Sequence, residues 1–226
     1  MSRRLYWVPS SLCFLLLPAL NAGTLFFSGN LRSDATITSC GAGCTLGVSD
    51  LDPTWAQFAA AVYTFNVPAP ATMYAVTFGY GGGTSGTGAV VPAGGFEPYL
   101  SLFDSGGQFL ASTLAGVYCP AGANTVPGGA FGGCDDVLLN GGTLASGTYQ
   151  IAISAWQNMS SAENLGTGTL ADGFTGLGDL AGGENLNYAF DVVLTPNQAP
   201  VPEPASLALT ALGAALLWGR RSAFRS

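Results

Sequence analysis

The sequence predicts an all-β fold, an antiparallel β-sandwich, on three observations. Glycine is abundant, at 33 of 226 residues, while charged residues make up only 8%. No lysine is present and five of the six arginines lie at the two ends of the chain, so the long middle lacks the side chains that surface helices use. Along that middle, large apolar residues alternate with small or polar ones at period two, and clusters of Gly, Asp, Ser and Asn interrupt them.

Taken in order, the chain opens with Arg3 and Arg4, a leucine-rich run over 12–20, and the small residues Ala22 and Gly23. That positive, apolar, small order is the pattern of a secretory signal peptide, here 1–22, although Leu20 is bulky for its place before the cleavage site. Pro9 and Pro18 argue against reading the same run as a core helix. Strands are then expected at 24–28 and 61–67. Next come the alternating Tyr74, Val76, Phe78 and Tyr80, and further strands at 98–103 and 108–113. Tyr149, Ile151, Ile153 and Ala155 form another period-two set, as do Tyr188, Phe190, Val192 and Leu194. Turns are expected at 104–107 and 140–142, and a long loop at 166–183. About eight short strands, each with one buried face, make a sandwich over residues 23–198.

Residues 199–226 differ in kind. Val201, Pro202, Glu203 and Pro204 precede the 14-residue apolar run 205–218, and Arg220, Arg221 and Arg225 follow it. As a helix the run spans about 21 Å, short of the roughly 30 Å hydrocarbon core. Trp218 suits the interface and the arginines the cytoplasmic side. The set resembles the PEP-CTERM sorting domain of exported proteins from Gram-negative bacteria. That resemblance implies recognition and cleavage by an exosortase-type membrane protease. It also implies a transient inner-membrane anchor through the C-terminal helix, then residence on the cell surface or in the extracellular matrix, with exopolysaccharide as a partner.

A second resemblance runs through 24–195. Residues 94–107 (GGFEPYLSLFDSGG), then Asp135 and Asp136, then 144–149 (LASGTY) and 187–194 (NYAFDVVL) follow one another in an order similar to the jelly-roll domain of the bacterial pre-peptidase C-terminal type. This implies a jelly-roll-like sandwich and a non-catalytic accessory module. The glycine-rich insertion 79–95 and the cysteines depart from that pattern.

Charge and chemistry narrow the function. Residues 23–198 hold one basic residue, Arg32, against twelve acids, a net charge of −11, which excludes nucleic-acid binding through phosphates. Without histidine, neither a Ser-His-Asp nor a Cys-His arrangement can be built, and histidine metal ligands are absent too. The string Gly81, Gly83, Gly86 matches a dinucleotide fingerprint, but no helix is expected after it. No catalytic residue is expected, and an enzyme is the disfavoured class; a carboxylate-dependent glycoside hydrolase is the form it would take.

Cys13 lies in the signal segment, and the remaining four allow three disulfide connectivities. Proximity in sequence suggests Cys40–Cys44 and Cys119–Cys134, whereas a four-cysteine zinc site would want tighter spacing. Glu97, Asp104, Asp135 and Asp136 fall at strand ends and loops, where carboxylates and carbonyls suit calcium. The competing reading is ordinary solvated turns, with Asp104 capping its own hairpin. Trp55, Tyr118 and Trp156 are candidates to stack on sugar rings, as in a carbohydrate-binding module, or to serve as core. Asn158, Met159 and Ser160 match a glycosylation sequon, which a bacterial cell would leave unused.

Overall fold

Valine, isoleucine, phenylalanine and tyrosine at period two do form the strands of the computed structural model, and every strand pairing is antiparallel. The structure describes residues 23–36, 58–113, 118–127, 133–165, 168–197 and 212–213. The strands are β1 (Gly23–Asn30), β2 (Ala60–Val67), β3 (Ala71–Thr77), β4 (Gly83–Thr84), β5 (Val90–Val91), β6 (Pro98–Asp104), β7 (Phe109–Ser112), β8 (Leu138–Leu144), β9 (Gly147–Ala155) and β10 (Asn187–Pro196). Between residues 23 and 197 the described helices are the short α1 (Leu31–Asp34), α2 (Ser161–Leu165) and a 3-10 turn at Leu170–Asp172. All of these belong to the unit Asn21–Asn197.

One sheet has the order β1-β10-β3-β8 and the other β2-β9-β6-β7, with β4-β5 a separate hairpin. Both four-stranded sheets contribute to one buried cluster. It joins Phe190 and Val192 of β10, Met73 of β3 and Leu139 of β8 to Phe65 of β2, Ile151 and Ile153 of β9, and Leu100 and Leu102 of β6. The expected inward faces of β9 and β10 are observed.

β3 reverses the expected phase. Its small residues Ala71 and Ala75, with Met73, face the shared cluster, while Tyr74 is exposed and Val76 lies on the other face. The reason is a second apolar layer. The hairpin β4-β5, built from the glycine-rich insertion, and the loop carrying Tyr118 and Ala123 bring Val91, Tyr118 and Ala123 against Val76, Phe78, Phe26 and Ala189. Outside the other sheet, Phe174, Ala162, Met159 and Leu170 pack on Tyr99, Phe103 and Ala152. β6 is therefore buried at six successive positions, which corrects the expectation of one buried face per strand.

The turn expected at 140–142 is instead a bulge inside β8. Met73 pairs with Gly142 and Tyr74 with Asn140, leaving Gly141 extra. Asn140 Oδ1 accepts from Gly142 N (3.0 Å), and Gly142 has the positive φ of 65° that glycine tolerates. Residues 1–22, Cys40, Cys44, Trp55, the tail motif Val201 to Pro204, Arg220 and Arg221 lie outside the described residues. Among those described, no helix is long and apolar enough to cross a membrane.

Candidate functional site

The antiparallel order brings the C-terminal ends of β3 and β9 and the N-terminal ends of β6, β8 and β10 to one end of the sheets. Loops distant in sequence meet there through backbone bonds. Gly94 N donates to Gly79 O (2.9 Å) and Gly95 N to Tyr80 O (3.0 Å), tying the two ends of the glycine-rich insertion together. Trp156 N donates to Glu97 O (2.7 Å), and Asp179 N to Trp156 O (2.8 Å). Tyr80, Glu97 and Asp179 are thereby carried into one neighbourhood, and Asp135 and Asp136 enter it from the start of β8.

Asp136 is fully buried and strapped to the end of β3. Its Oδ1 accepts from Thr77 Oγ1 (2.8 Å), Gly79 N (2.7 Å) and Tyr80 N (3.4 Å). Thr77 Oγ1 accepts in turn from Val137 N (2.9 Å), and Tyr118 N donates to Asp136 O (3.0 Å). Burial pushes the Asp136 carboxyl up to about 7, against the pull of those donors and with a further push from the Asp135 charge. Its Oδ2 accepts no hydrogen bond. Asp135, 1% exposed, likewise has an Oδ1 with no donor.

Around this pair the environment is uniformly acidic. Glu97 is half-buried, and burial raises its carboxyl, with the charges of Asp135 and Asp179 adding to the effect. Tyr80 is raised by burial, then by Asp135 and Glu97. Asp179 is exposed at the rim. The disulfide Cys119–Cys134, Cα–Cα 5.0 Å, closes the loop between Tyr118 and Asp135 and fixes where the acid pair begins.

Asp104 does not join them. It ends β6 where Glu97 precedes it, about 23 Å away for a seven-residue strand. Its Oδ1 accepts from Gly106 N (2.8 Å) and Gln108 N (2.9 Å), so it caps the β6–β7 turn. Three of the four acids expected to act together are thus at one end, and Asp104 is at the other. Among the described residues, no set of three or more carboxylates or thiols converges closely enough to hold a metal by itself.

Two contributors, Tyr80 and Asp179, were invisible in the sequence: one follows a strand as ordinary alternation, the other lies in a stretch read only as loop. The sugar-stacking candidates do not form a row. Tyr118 and Trp156 are half-buried against different clusters, and Tyr74 is the only exposed aromatic side chain among the described residues. Gly81, Gly83 and Gly86 belong to the β4-β5 hairpin, not to a strand-to-helix turn. Asn158 is buried, accepting from Gly176 N (2.7 Å) and donating to Ala59 O (3.2 Å), a structural post between β2 and the loop after β9. No protein-family model, curated protein or solved structure matches this chain.

Proposed function

We propose that this chain is an exported, non-enzymatic surface or matrix protein, sorted by its C-terminal tail. The observation that carries the reading is the order of that tail: Val201, Pro202, Glu203 and Pro204, an apolar run of 14 residues, then Arg220 and Arg221. In this reading residues 1–22 direct export and 199–226 anchor the chain in the inner membrane of a Gram-negative bacterium. An exosortase-type protease then cuts near Pro204, and the released domain settles among cell-surface exopolysaccharide.

The domain over 23–198 is a jelly-roll-like sandwich in this reading. Two four-stranded antiparallel sheets sharing one buried cluster support it. The absence of histidine and the single arginine of the domain support a non-catalytic role, since nucleophile activation and oxyanion binding draw on such groups. The test is the intact mass of the protein recovered from the surface or medium of its own cells. A chain beginning near Gly23 and ending near Pro204 supports sorting and release. A full-length C-terminus retained in the inner membrane refutes it and leaves the tail as a plain anchor.

A further inference from the structure

We infer that Asn140 is a site of self-modification, where the folded protein loses the side-chain amide through a succinimide to give aspartate and isoaspartate. The sequence supplies the first condition. Of the chain's asparagines, Asn140 alone is followed by glycine. Glycine puts no Cβ beside the peptide nitrogen that must attack, and it leaves that peptide the widest choice of backbone angles.

The fold supplies the rest. Asn140 lies in β8, an outer strand of its sheet, with its side chain exposed on the same face as Tyr74. In the register with β3, Asn140 pairs with Tyr74 and Gly142 with Met73, so Gly141 stands in the bulge without a partner there. The Asn140 side chain is turned forward along its own chain, because its Oδ1 accepts from Gly142 N (3.0 Å). The ring closed by that bond contains both Asn140 Cγ and Gly141 N, so it folds the electrophile back toward the next peptide nitrogen. The same N–H donates to the oxygen on which negative charge develops as that nitrogen adds, the role of an oxyanion donor. Packing also fixes the reactive pair, since a Cβ at Gly141 would strike Met73 Sδ.

The reaction needs only hydroxide and water. Base removes the Gly141 N–H proton, the nitrogen bonds to Asn140 Cγ, and the Cγ–Nδ2 bond breaks with release of ammonia. Water then opens the succinimide. Breaking the bond from nitrogen to Cγ gives aspartate; breaking the bond from nitrogen to the main-chain carbonyl carbon gives isoaspartate, whose backbone runs through Cγ. Either product adds one negative charge beside Tyr74. Isoaspartate also lengthens β8 at its bulge, where the ladder is already interrupted.

For the test, the full-length chain is kept folded in a non-ionic detergent at mildly alkaline pH, beside a sample unfolded in urea. Residue 140 is followed by peptide mass mapping and by enzymatic methylation of isoaspartate. The expected result is a mass gain of about 1 Da in the Asn140 peptide, with isoaspartate among the products. Its rate in the folded sample equals or exceeds that in urea and falls at mildly acidic pH. Asn66 and Asn124 are also exposed but precede valine and threonine, and they keep their amides. Asn140→Gln loses the signal, because the longer side chain closes its ring far more slowly. If that variant fails to fold, Asn140→Ser, which keeps an acceptor for Gly142 N, shows the same loss. The inference is overturned if Asn140 keeps its amide in the folded protein, or reacts there more slowly than in urea. It is equally overturned if aspartate forms without isoaspartate, or if Asn66 or Asn124 reacts as fast. It rests on β8 alone, so neither its failure nor its success bears on whether the tail is cut.

Discussion

Replacing the disulfide Cys119–Cys134 by two alanines is expected to lower the Tm of the domain by about 6–12 °C. The bridge closes a loop with a sequence separation of 15. In the chain-entropy model, releasing such a loop in the unfolded state costs about 3 kcal/mol. For a domain of this size each kcal/mol moves Tm by about 2–4 °C, which gives the range. Alanine is the right replacement because Cys134 is 2% exposed, and serine would bury a hydroxyl there.

The assay is a thermal melt of wild type and double variant, each with and without reductant. Reductant is expected to lower the wild type to the level of the variant and to leave the variant alone. Hydrogen exchange locates the effect. Inside the bridged loop, Ala123 N donates to Pro120 O, Asn124 N to Gly82 O and Val126 N to Gly133 O, and these amides lose protection first. Amides of β9, paired on both sides by β2 and β6, keep theirs. An unchanged Tm refutes the reasoning. So does a reductant effect of equal size in the variant, which would assign the stabilisation to Cys40 and Cys44.

Three further outcomes follow from single contacts. Thr77→Val removes the hydroxyl that donates to Asp136 and accepts from Val137 N, leaving two buried groups short, and is expected to cost about 2–4 kcal/mol in a urea titration with unchanged slope. Gly94→Ala would drive its methyl into the carbonyl oxygens of Asn187 and Gly79, and is expected to cost roughly 3 kcal/mol by the same titration, with a cost below about 1 kcal/mol refuting the close approach. Asp191 is raised by burial, with the Gly86 amide pulling the other way, so the folded state holds its proton to a higher pH than the unfolded state does. Wild-type stability from this group is therefore lost as pH rises through the raised value. Asp191→Asn should melt higher than wild type at about pH 8, and the gap should close on acidification toward roughly pH 4.

How far the sequence could be read depends on whether a feature is local. β9 and β10 were legible because their large residues meet a partner sheet on one side, and period two then reports the core face. β3 shows the same alternation and was read in the wrong phase, because Val76 and Phe78 are buried by the insertion and the disulfide loop. Nothing in residues 71–80 announces a cover supplied from elsewhere. The Asp104 turn was legible for the opposite reason: its donors, Gly106 and Gln108, are two and four residues away. Glu97, Asp135 and Asp136 were visible as acids, but their placement at one end depends on β6 and β8 starting at the same end of two different sheets. Tyr80 joins through its bonds to Gly95 and to the Asp136 carboxylate, and Asp179 through a backbone bond to Trp156.

The glycine-rich insertion makes the acidic end more than a surplus of charge. One segment, 79–95, covers the outer face of a sheet with Val91, pins itself to Asp191 through Gly86 N, and turns the amides of Gly79 and Tyr80 onto Asp136. Each job requires the backbone to approach closely. At Gly94, Gly82 and Gly83 a side chain would strike backbone atoms, and the last two have positive φ of 67° and 140°. A cover whose only task was to exclude water could be built from bulkier, less costly residues and would leave asparagine or threonine beside Thr77. This one instead closes over two adjacent carboxylates and leaves an oxygen of each without a donor. Burying such a pair opposes folding while both are charged, so this end should gain stability as pH falls through the raised value of Asp136, about 7, and lose it as pH rises.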